Sequence, residues 1–276
     1  MSARYAVIGN PIGHTKSPMI HSAFAAATGQ DIVYTAIEGR IGGFAEQVDE
    51  FRAAGGLGLN ITAPFKLDAY NYAKELKPSA ALAGAVNCLN FSAGGAVGEN
   101  FDGVGLVRDI VANLGVGLTG KRVLLLGAGG AARGALLPFL QQEPAELVLA
   151  NRTLSKAVAL SEQFSNFGMV FAASYGALSA DHAGRYDVVV NTTSASLRQE
   201  LPPVPASVFR ADTLAYELLY GKGLTPFLKL ARDAGSTRLA DGVGMLVEQA
   251  AEAFAWWRGV RPLTADVIAK MTVPLG

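Results

Sequence analysis

The chain predicts an α/β protein built as two domains, and three observations carry that prediction. Short apolar runs alternate with helical stretches in a β-α-β-α-β rhythm through residues 4–61. A second series starts at residue 121, where Lys121-Arg122 leads into the apolar run Val123-Leu124-Leu125-Leu126, a glycine turn and a helix. With 276 residues, the chain has room for one large domain or two of ordinary size, and for a real core.

Composition narrows the classes of function. Half the residues are apolar, and Lys plus Arg matches Asp plus Glu at 23 each, so nothing points to a nucleic-acid or membrane-surface partner. No apolar run approaches the length of a membrane span, and a strand expected from residue 4 leaves no room for a signal peptide. The single cysteine, Cys88, excludes an internal disulfide, and His14, His21 and His182 are too scattered for a metal site. The expectation is a soluble, cytoplasmic protein that binds a small molecule and no metal. Oligomeric state is not legible.

Residues 4–9 form an apolar strand that ends in the turn cluster Gly9-Asn10-Pro11-Ile12-Gly13. A helix follows over 20–27, with Ser17 as N-cap and Pro18 at its first position. Thr15 and Ser17, beside Lys16 at that helix start, either serve the cap alone or also suit a small carboxylate. Strands are expected at 32–37 and 57–61, with a helix at 44–54 between them. The second of these strands runs into Asn60-Ile61-Thr62-Ala63-Pro64-Phe65-Lys66. Ligands sit at the carboxyl ends of strands in open parallel sheets, so Thr62 and Lys66 are placed to meet one, although Lys66 taken alone reads as a solvated surface lysine. Helices at 70–76 and 79–82 precede a strand over 84–91, which Gly94-Gly95 turns back toward Ala96-Val97. Asp102 then stands before a helix over 104–114, as its N-cap, as a catalytic carboxylate, or as both. Residues 113–120, glycine-rich and uncharged, read as the linker into the second domain.

The second domain opens with Gly127-Ala128-Gly129-Gly130-Ala131-Ala132 between a strand and the helix 135–140. Gly127 can make the tight turn and Gly129 can let the backbone approach a pyrophosphate at the positive end of that helix. Such a turn can also be a plain packing turn. The next strand, 147–150, ends in Asn151-Arg152-Thr153-Leu154-Ser155-Lys156, where an Asp or Glu for the ribose hydroxyls would usually stand. Cations and hydroxyls there suit a 2′-phosphate, so the expected cofactor is NADP and the domain a Rossmann fold. Beyond it come a helix at 154–164, a short strand at 169–172 and a buried strand at 186–190, whose polar end Asn191-Thr192-Thr193-Ser194 faces the cofactor. Residues 197–205, with three prolines, read as a mobile loop. A strand end at Leu214-Ala215-Tyr216-Glu217, a helix over 227–234, a strand at 238–240 and a helix over 245–257 complete the chain.

These residues resemble the shikimate dehydrogenase family nearly end to end. The carrying motifs are Gly9-Asn10-Pro11-Ile12 with His14-Thr15-Lys16-Ser17-Pro18, the Asn60-to-Lys66 stretch, Gly84-Ala85-Val86-Asn87, Asn100-Phe101-Asp102-Gly103, Gly127-Ala128-Gly129-Gly130-Ala131, Asn151-Arg152-Thr153, and Asp241-Gly242-Val243-Gly244-Met245-Leu246 with Gln249. The resemblance implies NADPH-dependent reduction of 3-dehydroshikimate to shikimate, in the pathway to chorismate and the aromatic amino acids. It implies a substrate-binding and catalytic domain over 1–103 with 250–276, its sheet parallel, and an NADP-binding domain over 104–249. By position, Thr15 and Ser17 hold the substrate carboxylate, and Thr62, Asn87 and Gln249 bond the ring hydroxyls. Lys66 and Asp102 form the catalytic pair. Gly127, Ala128, Gly129, Gly130 and Ala131, with Thr192 and Gly242, contact the dinucleotide, and Asn151, Arg152, Thr153 and Lys156 clamp its 2′-phosphate. A hydride reaching a carbonyl carbon leaves an alkoxide, and the Lys66 ammonium can supply either a proton or a neighbouring charge.

The chain also departs from the family's pattern. Thr15 stands where serine is usual, Cys88 where threonine is usual, and Tyr216-Glu217-Leu218 replaces Tyr-Asp-Met. Phe101 stands where a threonine contacts substrate beside the catalytic aspartate. The alternative to shikimate is therefore a divergent paralogue that uses quinate or another carbocyclic hydroxy acid. A non-catalytic dinucleotide sensor is a third reading, against which the retained Lys66 and Asp102 argue.

Overall fold

The apolar runs of the first series become strands of one sheet in the computed structural model, which describes residues 2–92, 94–179 and 186–275. They are β1 (Ala3–Gly9), β2 (Ile32–Glu38) and β3 (Gly56–Ile61), joined through α1 (Ser17–Thr28) and α2 (Phe44–Ala53). β1 is parallel to both neighbours. Then follow α3 (Lys66–Tyr72), β4 (Glu75–Leu76), α4 (Pro78–Ala83), β5 (Cys88–Ser92) and β6 (Gly95–Glu99), and the sheet order is β2-β1-β3-β5-β6-β4.

The sheet is parallel at β2-β1-β3, but β5 runs antiparallel to both β3 and β6. A connection as short as the one between β5 and β6 permits only a hairpin, so strict parallelism gives way on that side. The helix expected at 70–76 instead starts at Lys66. It stops where Ala73 turns extended, because Lys74 and Lys77 donate their backbone N–H groups to Ala96 and Gly98 and so add β4 to the sheet. At α1, Lys16 occupies the N-cap position and Ser17 is the first helical residue. The expected Ser17 cap is absent, since Ser17 is already helical, and its backbone N–H donates to the Thr15 Oγ1 at 3.3 Å.

α5 (Asp102–Arg108) runs on into a π-helical turn, Asp109–Asn113. Within α5 the chain leaves one compact unit, Met1–Gly105 with Leu246–Ala269, for another, Leu106–Met245 with Lys270–Gly276. The stretch 113–120, expected as a linker, belongs to the second unit, with Val116 and Leu118 buried and the Gly120 N–H bonded to Glu143. Gln249 lies in the first unit, not in the 104–249 domain of the expectation. Residues 270–276 lie in the second, where Leu275 packs on the core.

The second unit holds β7 (Arg122–Leu126), α6 (Gly130–Leu140), β8 (Glu146–Ala150), α7 (Leu154–Gln163), β9 (Phe171–Ala173), β10 (Val188–Asn191), β11 (Leu214–Glu217), α8 (Pro226–Asp233) and β12 (Arg238–Ala240). The chain ends with α9 (Val243–Arg258) and α10 (Ala265–Met271), the last unforeseen. Every pairing in this sheet is parallel, in the order β12-β11-β10-β7-β8-β9. Its central strands are buried along their length, as the continuous apolar runs require of a sheet covered on both faces. The order reverses between β7 and β10, which opens a crevice at their carboxyl ends.

Candidate active site

In the first unit, strand direction gathers the site. β1 and β3 are parallel neighbours, so the turn after Gly9 and the turn carrying Thr62 leave the same sheet edge. β5 is antiparallel, which brings its start, with Asn87 just before it, to that edge; β6 reverses again and delivers Asn100, Phe101 and Asp102 there. The mixed sheet is therefore what collects residues so far apart in sequence.

Lys66, at the first position of α3, places its Nζ 2.5 Å from Asp102 Oδ2, with the side chains 36% and 19% exposed. Asn87 Nδ2 donates to Asp102 Oδ1 at 2.8 Å and lies 3.3 Å from Gln249 Oε1. Asn87 also accepts, through Oδ1, the backbone N–H of Phe101 at 2.9 Å, and Asn100 Oδ1 accepts that of Asp102 at 3.1 Å. A half-exposed ammonium thus faces a carboxylate whose second oxygen is already held by an amide. That is a chemically useful arrangement: the cation keeps protons to give, and the anion cannot swing away.

Thr15 and Ser17 form a separate pair, with Thr15 Oγ1 donating to Ser17 Oγ at 3.2 Å. Thr62 lies against Gly9, where an added Cβ would fall 2.3 Å from its Cγ2. Phe101 turns its ring edge-on to Trp256 of α9, with centroids 5.7 Å apart. The sequence offers no signal for Trp256, which is distant in the chain.

A buried polar group also escapes the sequence reading. The Tyr34 hydroxyl donates to Asn60 Oδ1 at 2.7 Å, and the His21 ring stacks on Tyr34 at 4.1 Å. Burial pulls the His21 imidazole down to about 3, against a smaller upward pull from Asn60, and neither ring nitrogen has a hydrogen-bond partner among the described residues. Burial also raises Cys88 well above the ordinary thiol range. His182 lies outside the described residues. Among the described residues no group of three or more His, Cys, Asp or Glu could hold a metal.

In the second unit a cavity of about 490 Å³ opens at the switch between β7 and β10. Nine of the residues singled out in the sequence line it: Gly127, Ala128, Gly129, Gly130, Asn151, Arg152, Thr153, Lys156 and Thr192. Ala131 and Gly242 do not. Ala131 lies in the first turn of α6, and Gly242 is pressed against the Leu218 carbonyl, where a Cβ would meet the oxygen at 2.1 Å. Gly127 has φ +106°, and a Cβ there would sit 2.9 Å from Thr193 Cγ2, so glycine is required both by conformation and by space. Asn151 Oδ1 accepts the Ala128 N–H at 3.2 Å and ties the second strand end to the turn.

The remaining wall comes from Tyr175, Thr193, Ser194, Ala195, Arg198 and Glu200 together with Leu201, Pro202 and Pro203. Arg198 makes a two-point pair with Glu200, at 3.0 and 2.8 Å. Burial pushes the Tyr175 phenol up to about 12 even with Arg152 pulling it down. Among the described residues three cations, Arg152, Lys156 and Arg198, thus border the cavity against the one carboxylate of Glu200. With the open amino end of α6, they make it a site for a multiply charged anion.

Three family models match the chain. Residues 7–89 match the shikimate dehydrogenase substrate binding domain, 109–199 the shikimate/quinate 5-dehydrogenase model, and 242–271 the shikimate 5′-dehydrogenase C-terminal domain. The shikimate dehydrogenase (NADP+) of Chromobacterium violaceum is 56% identical over 97% of each chain. An Ael1 enzyme from Pseudomonas putida superposes with a TM-score of 0.96 at 59% identity over the whole of both chains. The shikimate 5-dehydrogenase of Thermus thermophilus, solved with NADP(H) and shikimate, gives a TM-score of 0.84 at 30% identity over 97% of each chain. Sequence, fold and the two clusters of polar residues agree, and the chain belongs to the shikimate dehydrogenase family.

Proposed function

We propose that this protein catalyses the reversible NADPH-dependent reduction of 3-dehydroshikimate to shikimate, a step toward chorismate, in the cytoplasm. The observation that carries the reading is the Lys66–Asp102 contact at 2.5 Å with Asn87 on the second carboxylate oxygen, because a binding module has no use for it. The first unit takes the substrate and the second the cofactor. Thr15 and Ser17 hold the substrate carboxylate, and Thr62, Asn87 and Gln249 meet the hydroxyls.

The residues around the second-unit cavity fit NADP(H). Gly127 and Gly129 leave room for a pyrophosphate at the amino end of α6, and Arg152 with Lys156 and Thr153 meets a 2′-phosphate. When bound, NADPH supplies the hydride. Lys66 presents its ammonium to the ketone oxygen, where negative charge grows as the carbon is reduced, and so lowers the barrier by proton donation or by charge. Such a group is typically worth about 10²–10⁴-fold. Asp102 keeps that ammonium in place, and Asn87 keeps Asp102 in place.

A second reading, a paralogue preferring quinate or another carbocyclic acid, is favoured by one observation. Phe101, backbone-bonded to Asn87 next to Asp102, offers a ring packed on Trp256 where a hydroxyl could stand. The test is NADPH consumption on addition of 3-dehydroshikimate, with Asp102→Asn beside the parent. Rapid turnover by the parent and a collapse in the variant support the proposal; equal rates in both remove the catalytic pair from it.

A further inference from the structure

The departure at Tyr216-Glu217-Leu218 is a feature the proposed function leaves unused. Glu217 ends β11 with none of its surface exposed. An isolated carboxylate there would be costly, but this one is met by four donors. Its Oε2 accepts from Asn191 Nδ2 at 3.0 Å, Ser196 Oγ at 2.5 Å and Thr225 Oγ1 at 3.2 Å, and its Oε1 accepts the Leu219 N–H at 3.2 Å.

Two of those donors lead to the cavity. Asn191, at the end of β10, accepts through Oδ1 from the Thr193 N–H at 3.1 Å and the Thr193 hydroxyl at 2.7 Å. That hydroxyl in turn accepts the Ala195 N–H at 3.2 Å. Thr193 and Ala195 line the cavity, and Thr193 packs directly against Gly127, where an added Cβ would fall 2.9 Å from its Cγ2. Ser196 follows directly in the same short turn, Ala195–Arg198, which carries Arg198 on its last residue. The other two donors lead away: Thr225 caps α8, and Leu219 lies beyond the strand.

We infer that Glu217 is a positioning residue for the dinucleotide, holding residues 192–196 through Asn191 and Ser196 in the shape that forms one wall of the cavity. The requirement is for a group that only accepts. Every polar neighbour of Glu217 presents a proton to it, so an amide would turn two protons against a donor and release one of the arms. The inference rests on the proposed reading of the cavity as the NADP(H) site.

The experiment measures NADPH binding by fluorescence, steady-state kinetics and melting temperature for the parent, Glu217→Gln, Ser196→Ala and Thr225→Ala. Ser196→Ala removes the arm to the wall together with the Asn191–Ser196 bond at 3.3 Å, and Thr225→Ala removes an arm leading away from it together with the cap of α8. The expected loss of NADPH affinity is about threefold for Ser196→Ala, the size of one lost hydrogen bond, with KM for NADP+ rising far more than kcat falls; it is smaller for Glu217→Gln, whose amide oxygen can keep Asn191 and Ser196 and set its protons against Leu219. Thr225→Ala should lower the melting temperature and leave NADPH affinity unchanged. Parent-like affinity in Ser196→Ala, or an equal loss in Thr225→Ala, would show that Glu217 only stabilises the fold, and would overturn the inference. A parent that fails to bind NADPH overturns the cofactor reading and this inference with it.

Discussion

Phe101→Thr tests the residue at which this chain leaves its family's pattern. The Phe101 backbone N–H bonds Asn87 at 2.9 Å whatever the side chain, so the substitution should leave the Asn87–Asp102 contact in place. What goes is the edge-on contact with Trp256, at 5.7 Å and 75° between planes. Such pairs are worth about 0.5–1.5 kcal/mol beyond their buried area, a loss most domains survive. What arrives is a hydroxyl beside the Asp102 carboxylate. If a substrate hydroxyl is left unpaired against the ring, the cost is about 1–3 kcal/mol, or roughly 5- to 150-fold in kcat/KM. The expected outcome is a rise of about tenfold or more for shikimate with NADP+, near the lower end of that range because the pocket around a smaller side chain can relax. Phe101→Val is the control, since valine has the shape of threonine without the hydroxyl. The assay is steady-state shikimate oxidation by parent, Thr and Val variants, with melting curves. An unchanged or lower kcat/KM in a folded Thr variant, or a Val variant that matches it, would refute the reasoning.

Three further outcomes follow from the same geometry. Lys66→Ala should lower kcat by at least about 10²-fold with the fold intact, and a near-normal kcat would return Lys66 to the surface. Arg152→Ala should raise KM for NADP+ strongly and leave any NAD+ reaction nearly untouched, because only the phosphate loses a partner; equal effects on both cofactors would mean that Arg152 does not read it. His21, held neutral by burial with its value lowered from 6.5 to about 3, binds a proton in the unfolded chain before it does in the native one. Its contribution is therefore complete above pH 6.5 and declines as pH falls toward 3, by about 1.4 kcal/mol per pH unit. Urea unfolding at about pH 7 and pH 5 should cost the parent roughly 2 kcal/mol more than His21→Phe, and parallel pH profiles would contradict this.

Chemistry that lies in one stretch beside a strand end is legible in the sequence. Gly127, Gly129, Asn151 and Arg152 are contiguous with apolar runs whose direction fixes where their ends point, and all of them line the cavity. Features made by folding alone are not. β4 is two residues long and exists because β6 offers it a partner, and the passage between the units lies inside α5, where composition does not change. The residue type of Ser17 suits it to cap α1, but the helix begins one residue early relative to that cap. Trp256 on Phe101 and the wall at Arg198 and Glu200 come from distant segments, with no local pattern to announce them. Tyr34, His21 and Asn60 look like ordinary members of a strand, a helix and another strand until they share one buried space.

This chain transfers a hydride between NADP(H) and shikimate. The most direct measurement is kcat/KM for shikimate and for quinate, each with NADP+ and with NAD+. The highest value is expected for shikimate with NADP+, and for either acid a value with NADP+ well above that with NAD+. Quinate above shikimate would move the protein to the second reading, and no turnover with any of the four pairs would rule out hydride transfer to either acid.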